Sequence, residues 1–148
     1  MIEIERKFLV EGDFLPFVER KVTIVQTYLS TVPECAVRVR IKDETAYLTV
    51  KGPGDKNGFS RMEFEYKIPL ADALQILGLS EKRIEKERFL VPVGKHTYEV
   101  DVFHGRHEGL IIAELELSSE SELFEKPDWL GEEVTGDERY YNAYLAGH

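Results

Sequence analysis

Met1-Ile2-Glu3-Ile4-Glu5-Arg6-Lys7-Phe8-Leu9-Val10 is the stretch of sequence that decides the fold. Along it, Glu3, Glu5 and Lys7 fall on alternate positions, and apolar side chains occupy most of the positions between them. Because successive side chains of a strand point to opposite faces of its sheet, the pattern predicts a β-strand with two carboxylates and an ammonium on one face. Such a face can simply meet water, or it can hold a divalent cation next to an anion, and the later strands decide between the two.

The same alternation recurs along the chain and predicts a mainly β (α+β) protein. The further predicted strands span residues 21–31, 36–41, 45–51, 59–68, 83–93, 97–103 and 110–118. Most of the connections between them are short enough for hairpins, which favours antiparallel pairing. Helices are predicted over residues 70–77 with Gly78 as the C-cap, over 119–125 behind a serine cap, and from a cap at Asp137 to about Leu145.

Nearly every predicted strand has one apolar face and one face with charges of both signs. The acidic members are Glu3, Glu5, Glu63, Glu65, Glu99, Asp101, Glu114 and Glu116, and the basic members are Lys7, Arg38, Arg40, Lys51, Arg61, Lys86 and Arg88. In a sandwich or one-sided sheet these faces would lie in solvent, where ion pairs contribute little. The alternative is a closed eight-stranded antiparallel barrel with a charged interior and a few flanking helices, wide enough for one small ligand. In that barrel we expect Glu3 and Glu5 to face Glu114 and Glu116 across the lumen.

Length and composition narrow the class of protein. The 148 residues predict a single domain over residues 1–148, and the net charge of −9 argues against a nucleic-acid or anionic-membrane partner. Cys35 is the one cysteine, so neither an intramolecular disulfide nor a thiolate metal cage is expected. The sequence lacks an apolar run of membrane-spanning length and a signal peptide, which predicts a cytoplasmic protein.

The charged faces also indicate a chemistry. Arginines such as Arg38, Arg40, Arg61 and Arg88 suit bidentate recognition of phosphate. The glutamate pairs at the two ends of the chain suit a hard cation such as Mg²⁺ or Mn²⁺. A metal–polyphosphate complex would reconcile carboxylates and guanidiniums inside one lumen, so the pattern points to phosphoryl chemistry on a polyphosphate.

Taken together, the ordered motifs resemble the CYTH superfamily, the triphosphate tunnel metalloenzymes, over essentially the whole chain. They are Glu3-x-Glu5-x-Lys7, Arg38-x-Arg40, Leu48-Thr49-Val50-Lys51-Gly52, Arg61-x-Glu63-x-Glu65, Lys86-x-Arg88, Val100-Asp101-x-Phe103-x-Gly105, Ala113-Glu114-x-Glu116-Leu117, Trp129 to Thr135, Asp137 and Arg139-Tyr140-x-Asn142. The resemblance implies an antiparallel eight-stranded tunnel and metal-dependent hydrolysis of a triphosphate. Without an appended helical domain, the chain is similar to stand-alone bacterial members, which predicts an inorganic triphosphatase acting on tripolyphosphate as a monomer or homodimer.

The resemblance also suggests roles for the charged residues, Glu99 excepted. The predicted metal ligands are Glu3, Glu5, Glu63, Glu114 and Glu116; the predicted triphosphate ligands are Lys7, Arg38, Arg40, Lys51, Arg61, Lys86, Arg88 and Arg139; the predicted catalytic residues are Tyr28, Lys86, Glu65 and Asp101. Tyr28 and Lys86 are expected to form a dyad in which the ammonium lowers the pKa of the phenol. Two alternatives stay open: a class IV-like adenylate cyclase or a nucleoside or thiamine triphosphatase, and a non-catalytic polyphosphate-binding module.

Overall fold

The computed structural model describes residues 2–148, so that Met1 of the first predicted strand lies outside the described residues. Within them the strands are, in chain order, β1 (Ile2–Val10), β2 (Arg20–Ser30), β3 (Ala36–Lys42), β4 (Thr45–Gly54), β5 (Ser60–Ile68), β6 (Arg83–Val93), β7 (His96–Phe103), β8 (Ile111–Glu116) and β9 (Leu130–Glu133). Two α-helices accompany them, α1 (Leu70–Leu77) and α2 (Asn142–Ala146). Single 3₁₀ turns are found at Leu15–Phe17, Gly105–His107 and Glu138–Tyr140.

Eight of the strands close into an antiparallel barrel. Hydrogen-bonded neighbours run in the order β5-β4-β3-β2-β6-β7-β8-β1, and β1 then pairs with β5, where Ile2 lies opposite Met62. The ninth strand, β9, adds to β1 beyond the point where β5 leaves it, with Phe8 opposite Glu133. The predicted eight-stranded antiparallel barrel is therefore confirmed, with one strand more than the sequence indicated.

Apolar cores lie on the outside of this barrel because its lumen is charged. Helix α1 packs against β3 and β4, where Ala73 and Leu77 contact Val39 and Ile41. On the other side, Phe8, Tyr98, Leu115 and Trp129 pack outside β1, β7 and β8, under the irregular segments 11–18 and 117–129. Trp129 is thus a core residue. The helix predicted over residues 70–77 and its Gly78 cap are both present.

One end of the lumen is filled by α2. Lys86, Asp101 and Glu114 point toward the inside of the barrel. Two positions nearer this end, the same faces of their strands carry apolar residues, which are Ile84, Phe103 and Ile112. These pack with Leu145 and Ala146 of α2. The predicted C-terminal helix is therefore present but interrupted: Asp137 accepts a hydrogen bond from the Arg139 amide and caps a 3₁₀ turn, extended Tyr141 follows, and α2 begins at Asn142.

Two local expectations from the sequence are wrong. The predicted helix over 119–125 is an irregular segment with one turn, in which the Glu122 amide donates to the Ser119 carbonyl. Packing decides this, because Phe124 is drawn into an edge-to-face contact with Phe8 and Tyr98 donates to the Glu125 carbonyl. Nor does the sequence predict a strand after residue 118, yet β9 begins at Leu130, since pairing with β1 outweighs a local sequence that lacks strand alternation. Among residues 2–148, no helix is long and apolar enough to cross a membrane.

Candidate active site

The barrel lumen holds a cavity of about 290 Å³, close to the lower end of the range typical of small-molecule sites, roughly 300–1,000 Å³. Its lining is charged and formally balanced. Seven acidic side chains, Glu3, Glu5, Glu63, Glu65, Glu99, Glu114 and Glu116, lie among seven basic ones, Lys7, Arg38, Arg40, Lys42, Lys51, Arg61 and Arg88. The inward parity expected for these residues holds on every strand. The open-sheet alternative, with these faces in solvent, is therefore ruled out.

The relation expected between the two glutamate pairs is wrong in one respect. Strands β1 and β8 are neighbours in the barrel, and Glu5 lies opposite Glu116 while Lys7 lies opposite Glu114. The carboxylates therefore meet side by side on one wall, and the strands four places away around the barrel are β2 and β3. The sequence gives the parity of a strand but not its neighbours, and the order of the strands in the barrel decides this point.

A buried ion-pair network occupies the wall of β1, β6, β7 and β8. The Lys7 ammonium donates to Glu114 at 2.9 Å and lies 3.5 Å from Glu5. Arg88 makes a bidentate pair with Asp101, at 2.8 and 2.9 Å, and reaches both Glu99 and Glu114 at 3.2 Å. Burial by itself would raise the pKa of Glu114, but Lys7 and Arg88 outweigh it and hold that pKa well below its usual range.

A second group of ion pairs lies where β4 and β5 meet β1. The Lys51 ammonium donates to Glu3 at 2.9 Å and lies 3.4 Å from Glu63. Burial opposes ionisation of Glu3, yet Lys51 lowers the pKa of this carboxyl. Burial and the neighbouring Glu3 carboxylate raise the pKa of Glu63. One ammonium is thus shared between two carboxylates and neutralises only one of them.

Two lumen glutamates are disfavoured in their charged form. Burial and the nearby Glu114 raise the pKa of Glu5 to about 8, and burial with Glu99 and Glu3 raises the pKa of Glu116 to about 7. The opposite wall shows the reverse. Burial and the guanidiniums of Arg38 and Arg88 lower the pKa of Arg40 to about 9. Glu5 and Glu116 would therefore be stabilised as anions by an added cation, and Arg40 would be stabilised as a cation by an added anion.

The lumen carboxylates suit a divalent cation, although they do not already converge on one metal position. Within residues 2–148, no group of three or more carboxylate, histidine or cysteine side chains already converges on a metal position. The lumen glutamates are instead drawn onto lysines and arginines, as described above. Oxygen donors that repel one another, at Glu5 and Glu116, are nevertheless the ligands that Mg²⁺ and Mn²⁺ prefer. Such an ion would have to draw Glu3 and Glu114 away from their cations, which an anion bound to those cations would favour.

The β3 arginines are prepared for an anion. Arg38 and Arg40 are buried, and the Nε atoms of Arg38 and Arg61 are without a hydrogen-bond partner. Arg38 donates to Thr49 at 3.2 Å and lies 3.8 Å from the half-exposed Glu65 carboxylate. A buried guanidinium with an unused donor is costly unless a ligand satisfies it. Phosphate oxygens match that fork of donors in geometry and in charge.

Lys86 lies behind the cavity lining rather than on it. Its fully buried ammonium pairs with Asp101 at 2.7 Å and donates to Asn142 at 2.7 Å. Burial lowers the pKa of Lys86 to about 7, although Asp101 acts in the opposite direction. Both Asp101 oxygens are taken by Arg88 and Lys86, so that this carboxylate orients cations and does not face the cavity.

The expected contact between Tyr28 and Lys86 is not formed in this conformation. Tyr28 lines the cavity and pairs with Arg38 across β2 and β3, whereas Lys86 lies opposite Ile24, four positions along β2. Among the described residues, the Lys86 hydrogen bonds go to other partners. Arg139 also lies apart from the site: its largely exposed side chain pairs with Asp137 at 2.6 Å, outside the cavity lining.

Sequence reasoning missed several members of the site. Lys42 lines the cavity, and the continued parity of Arg38 and Arg40 would have found it had β3 been extended by one residue. Glu99 was placed on the charged face but given no role. Tyr141 and Asn142 carry no charge and were given no role, although they belong to the quoted motif Arg139-Tyr140-x-Asn142. Gln26, which donates to Asn142, is uncharged as well and lies outside the motifs.

Comparison with known proteins agrees with this architecture. A family model described as the CYTH domain matches residues 1–141. A protein of Acetivibrio thermocellus named inorganic triphosphatase is 48% identical over 145 residues, which covers 97% of this chain and 92% of that protein. One of Nitrosomonas europaea with the same name is 37% identical over 153 residues, covering 99% and 97%. A crystal structure of an inorganic triphosphatase superposes with a TM-score of 0.70 at 34% identity, covering 97% of this chain and 96% of that one.

Proposed function

Because this chain belongs to the CYTH domain family, we propose that it is a metal-dependent triphosphatase that hydrolyses inorganic tripolyphosphate to pyrophosphate and phosphate. The substrate is a small-molecule triphosphate, as the names of its relatives indicate. The family implies a divalent metal, and we propose Mg²⁺ or Mn²⁺. The observation that carries the proposal is the lining of the closed lumen, where the carboxylates of Glu5 and Glu116 lie opposite each other on β1 and β8 and the buried guanidiniums of Arg38 and Arg40 project from β3.

The proposed binding mode follows from that separation of charge. Glu5 and Glu116, joined by Glu3, Glu63 and Glu114, would hold the metal, and Arg38, Arg40 and Arg61 would bind the phosphate chain. In the ligand-free protein, Lys7, Lys51 and Arg88 are paired with carboxylates. They would turn to phosphate oxygens as the metal takes those carboxylates. The protein thus exchanges internal ion pairs for ligand contacts, which keeps the buried charges balanced.

Hydrolysis then requires in-line attack by a water molecule on a terminal phosphorus. One phosphorus–oxygen bond forms from water, the bond to the bridging oxygen breaks, and pyrophosphate leaves. The bound metal would supply Lewis-acid stabilisation of the charge that develops on the phosphate oxygens. The guanidiniums of Arg38 and Arg40 hold the chain in line, and the buried Asp101 keeps Arg88 and Lys86 oriented.

Proton removal from the water is proposed for two side chains at the cavity. Tyr28 has a hydroxyl on the lining, and Glu65 has a half-exposed carboxylate held by Thr49 at 3.1 Å. Lys86 would assist Tyr28 through the positive charge of its ammonium, from its position between Asp101 and Asn142. Arg139 has no part in the proposed mechanism, given its pairing with Asp137.

Phosphate release tests this function directly. Tripolyphosphate, ATP and thiamine triphosphate are compared at equal concentration under Mg²⁺ and under Mn²⁺, with cyclic AMP followed in the ATP reactions and EDTA as the metal-free control. We expect tripolyphosphate to be hydrolysed fastest and the activity to vanish with EDTA. Faster hydrolysis of ATP or formation of cyclic AMP would favour the nucleotide-acting alternative. Metal-dependent binding of tripolyphosphate without phosphate release would identify a binding module.

Four expectations from the sequence stay predictions. They are the single domain over residues 1–148, the monomeric or homodimeric state, the cytoplasmic location and the absence of a nucleic-acid partner. A negative net charge and a cavity sized for one small ligand support the last of these.

A further inference from the structure

Asn142 joins the C-terminal helix to the charged network of the lumen. It is the first residue of α2, and its Oδ1 accepts hydrogen bonds from Lys86 Nζ at 2.7 Å and from Gln26 Nε2 at 3.0 Å. Gln26 and Lys86 are both fully buried. One amide oxygen of the C-terminal segment thus receives donors from two strands of the barrel wall.

Lys86 and Arg40 fix which way the side-chain amides of Asn142 and Gln26 are turned. Lys86 can only donate, so the Asn142 group that faces it must be the oxygen. Arg40 can only donate as well, and its Nε donates to Gln26 Oε1 at 2.7 Å. The Gln26 amino group is therefore turned toward Asn142. Hydrogen bonds are therefore donated from Arg40 to Gln26 and from Gln26 to Asn142, and Lys86 donates to the same Asn142 oxygen.

Helix α2 does not need Asn142 to stay in place. Leu145 and Ala146 are buried among Ile84, Phe103 and Ile112, and Arg106 donates to the Ala146 carbonyl at 2.6 Å. Apolar packing and this hydrogen bond hold the helix from its other end. The Asn142 side-chain oxygen is therefore not needed to hold α2 in place. Its two hydrogen-bond donors are groups that belong to the proposed active site.

We propose that Asn142 is a positioning residue of the active site, which sets the position of the Lys86 ammonium and of the Arg40 guanidinium through its side-chain oxygen. The inference rests on the proposed function, since it assigns Asn142 a part in that reaction. Without the oxygen, Lys86 keeps Asp101 alone and shifts toward it, and Gln26 loses the partner that holds its oxygen on Arg40. The other phosphate ligands on the cavity lining, Arg38 and Arg61 among them, stay in place, so turnover falls more than affinity.

Substitutions of nearly equal size separate this role from simple packing. Asn142→Leu removes the oxygen and keeps the volume, whereas Asn142→Asp keeps an oxygen acceptor at the same distance. Leu145→Ala is the packing control, because it loosens α2 without touching Lys86. We expect Asn142→Leu to lower kcat for tripolyphosphate about tenfold or more with little change in KM, and Asn142→Asp to stay near wild type. Leu145→Ala should lower the melting temperature and leave kcat nearly unchanged.

A second readout does not depend on activity. The ammonium resonance of Lys86 in ¹⁵N-lysine-labelled protein, assigned by its loss in Lys86→Met, reports the surroundings of Nζ in the ligand-free state. It should shift in Asn142→Leu, and stay near the wild-type position in Leu145→Ala.

The outcomes distinguish the two proposals. A wild-type protein without tripolyphosphate hydrolysis refutes the proposed function, and the Lys86 resonance then decides the Asn142 inference alone: an unchanged resonance in Asn142→Leu overturns it. In an active wild type, equal losses of kcat in Asn142→Leu and Asn142→Asp, or an equal loss in Leu145→Ala, would also overturn it.

Discussion

Glu5 and Glu116 lie directly opposite each other on the paired strands β1 and β8, and both side chains line the lumen. Like charges at directly opposite positions of a sheet are destabilising. The protein relieves this repulsion by proton uptake, since burial and neighbouring carboxylates raise the pKa values of the two groups to about 8 and about 7. A divalent cation would replace those protons, which makes this pair the most sensitive reporter of the proposed metal site.

Metal stabilisation should therefore depend on pH. A glutamate whose pKa is raised in the folded protein binds more protons there than in the unfolded chain, here between pH 4.5 and 8. Because of this pair, the stability of the ligand-free protein falls as pH rises through that window. The cation competes with protons and gains on them at higher pH. We expect the increase in melting temperature caused by Mn²⁺ to grow from pH 5.5 to pH 9. An increase that is constant or shrinks with pH would contradict the assignment.

Neutralising one member of the pair should separate stability from activity. Glu5→Gln resembles the protonated glutamate, so at pH 7 we expect a melting temperature without metal that is close to wild type, and at pH 9 a higher one. Metal-dependent phosphate release should fall about a hundredfold or more, because an oxygen ligand of the metal is lost. Glu132→Gln, at an exposed position of β9, is the matched control and should change neither quantity. Undiminished phosphate release in Glu5→Gln would remove Glu5 from the metal site.

The unpartnered Nε of Arg38 indicates that this side chain binds phosphate through its planar fork. Arg38→Lys keeps the charge and loses the fork, which we expect to cost roughly 1.5–3 kcal/mol of transition-state stabilisation, or about tenfold to a hundredfold in kcat/KM for tripolyphosphate. Arg20→Lys, at the exposed start of β2, is the control for a general arginine effect. Equal kcat/KM in the two variants would show that Arg38 acts through charge alone.

Tyr28→Phe tests whether the phenol takes part in activating water. Tyr28 lines the cavity and lies opposite Arg38 of β3, so loss of its hydroxyl should lower kcat about tenfold or more and leave KM almost unchanged. Steady-state kinetics with tripolyphosphate separate the two constants. If kcat stays at the wild-type value, the dyad with Lys86 is refuted and Glu65 is the remaining candidate for proton removal.

The alternating strands made most of the lumen predictable from sequence. Because the side-chain period of a strand is fixed at two, Glu3, Glu5 and Lys7 had to share a face, and the same holds for Arg38 with Arg40 and for Glu114 with Glu116. The stretch Arg38-x-Arg40 continues to Lys42 in the structure, so that an error of one residue at the end of a strand concealed a site residue. The alternation predicted which face of the sheet each side chain lies on, but it did not predict the strand ends accurately.

What the sequence could not supply was the identity of neighbours. The order of the strands around the barrel places Glu5 beside Glu116 and opposite the arginines of β3, and it separates Tyr28 from Lys86. The irregular chain around Phe124 follows from tertiary packing that overrides helical composition. Asn142 and Gln26 act through buried hydrogen bonds between distant segments, which leave no periodic trace in the chain.

Anomalous diffraction from crystals grown with Mn²⁺ and a non-hydrolysable imido analogue of tripolyphosphate tests the central claim most directly. The account predicts a manganese peak inside the lumen at about 2.1 Å from carboxylate oxygens of Glu5 and Glu116, with the phosphate chain in contact with Arg38 and Arg40. A manganese peak outside the lumen, or an analogue bound away from the β3 arginines, would contradict it.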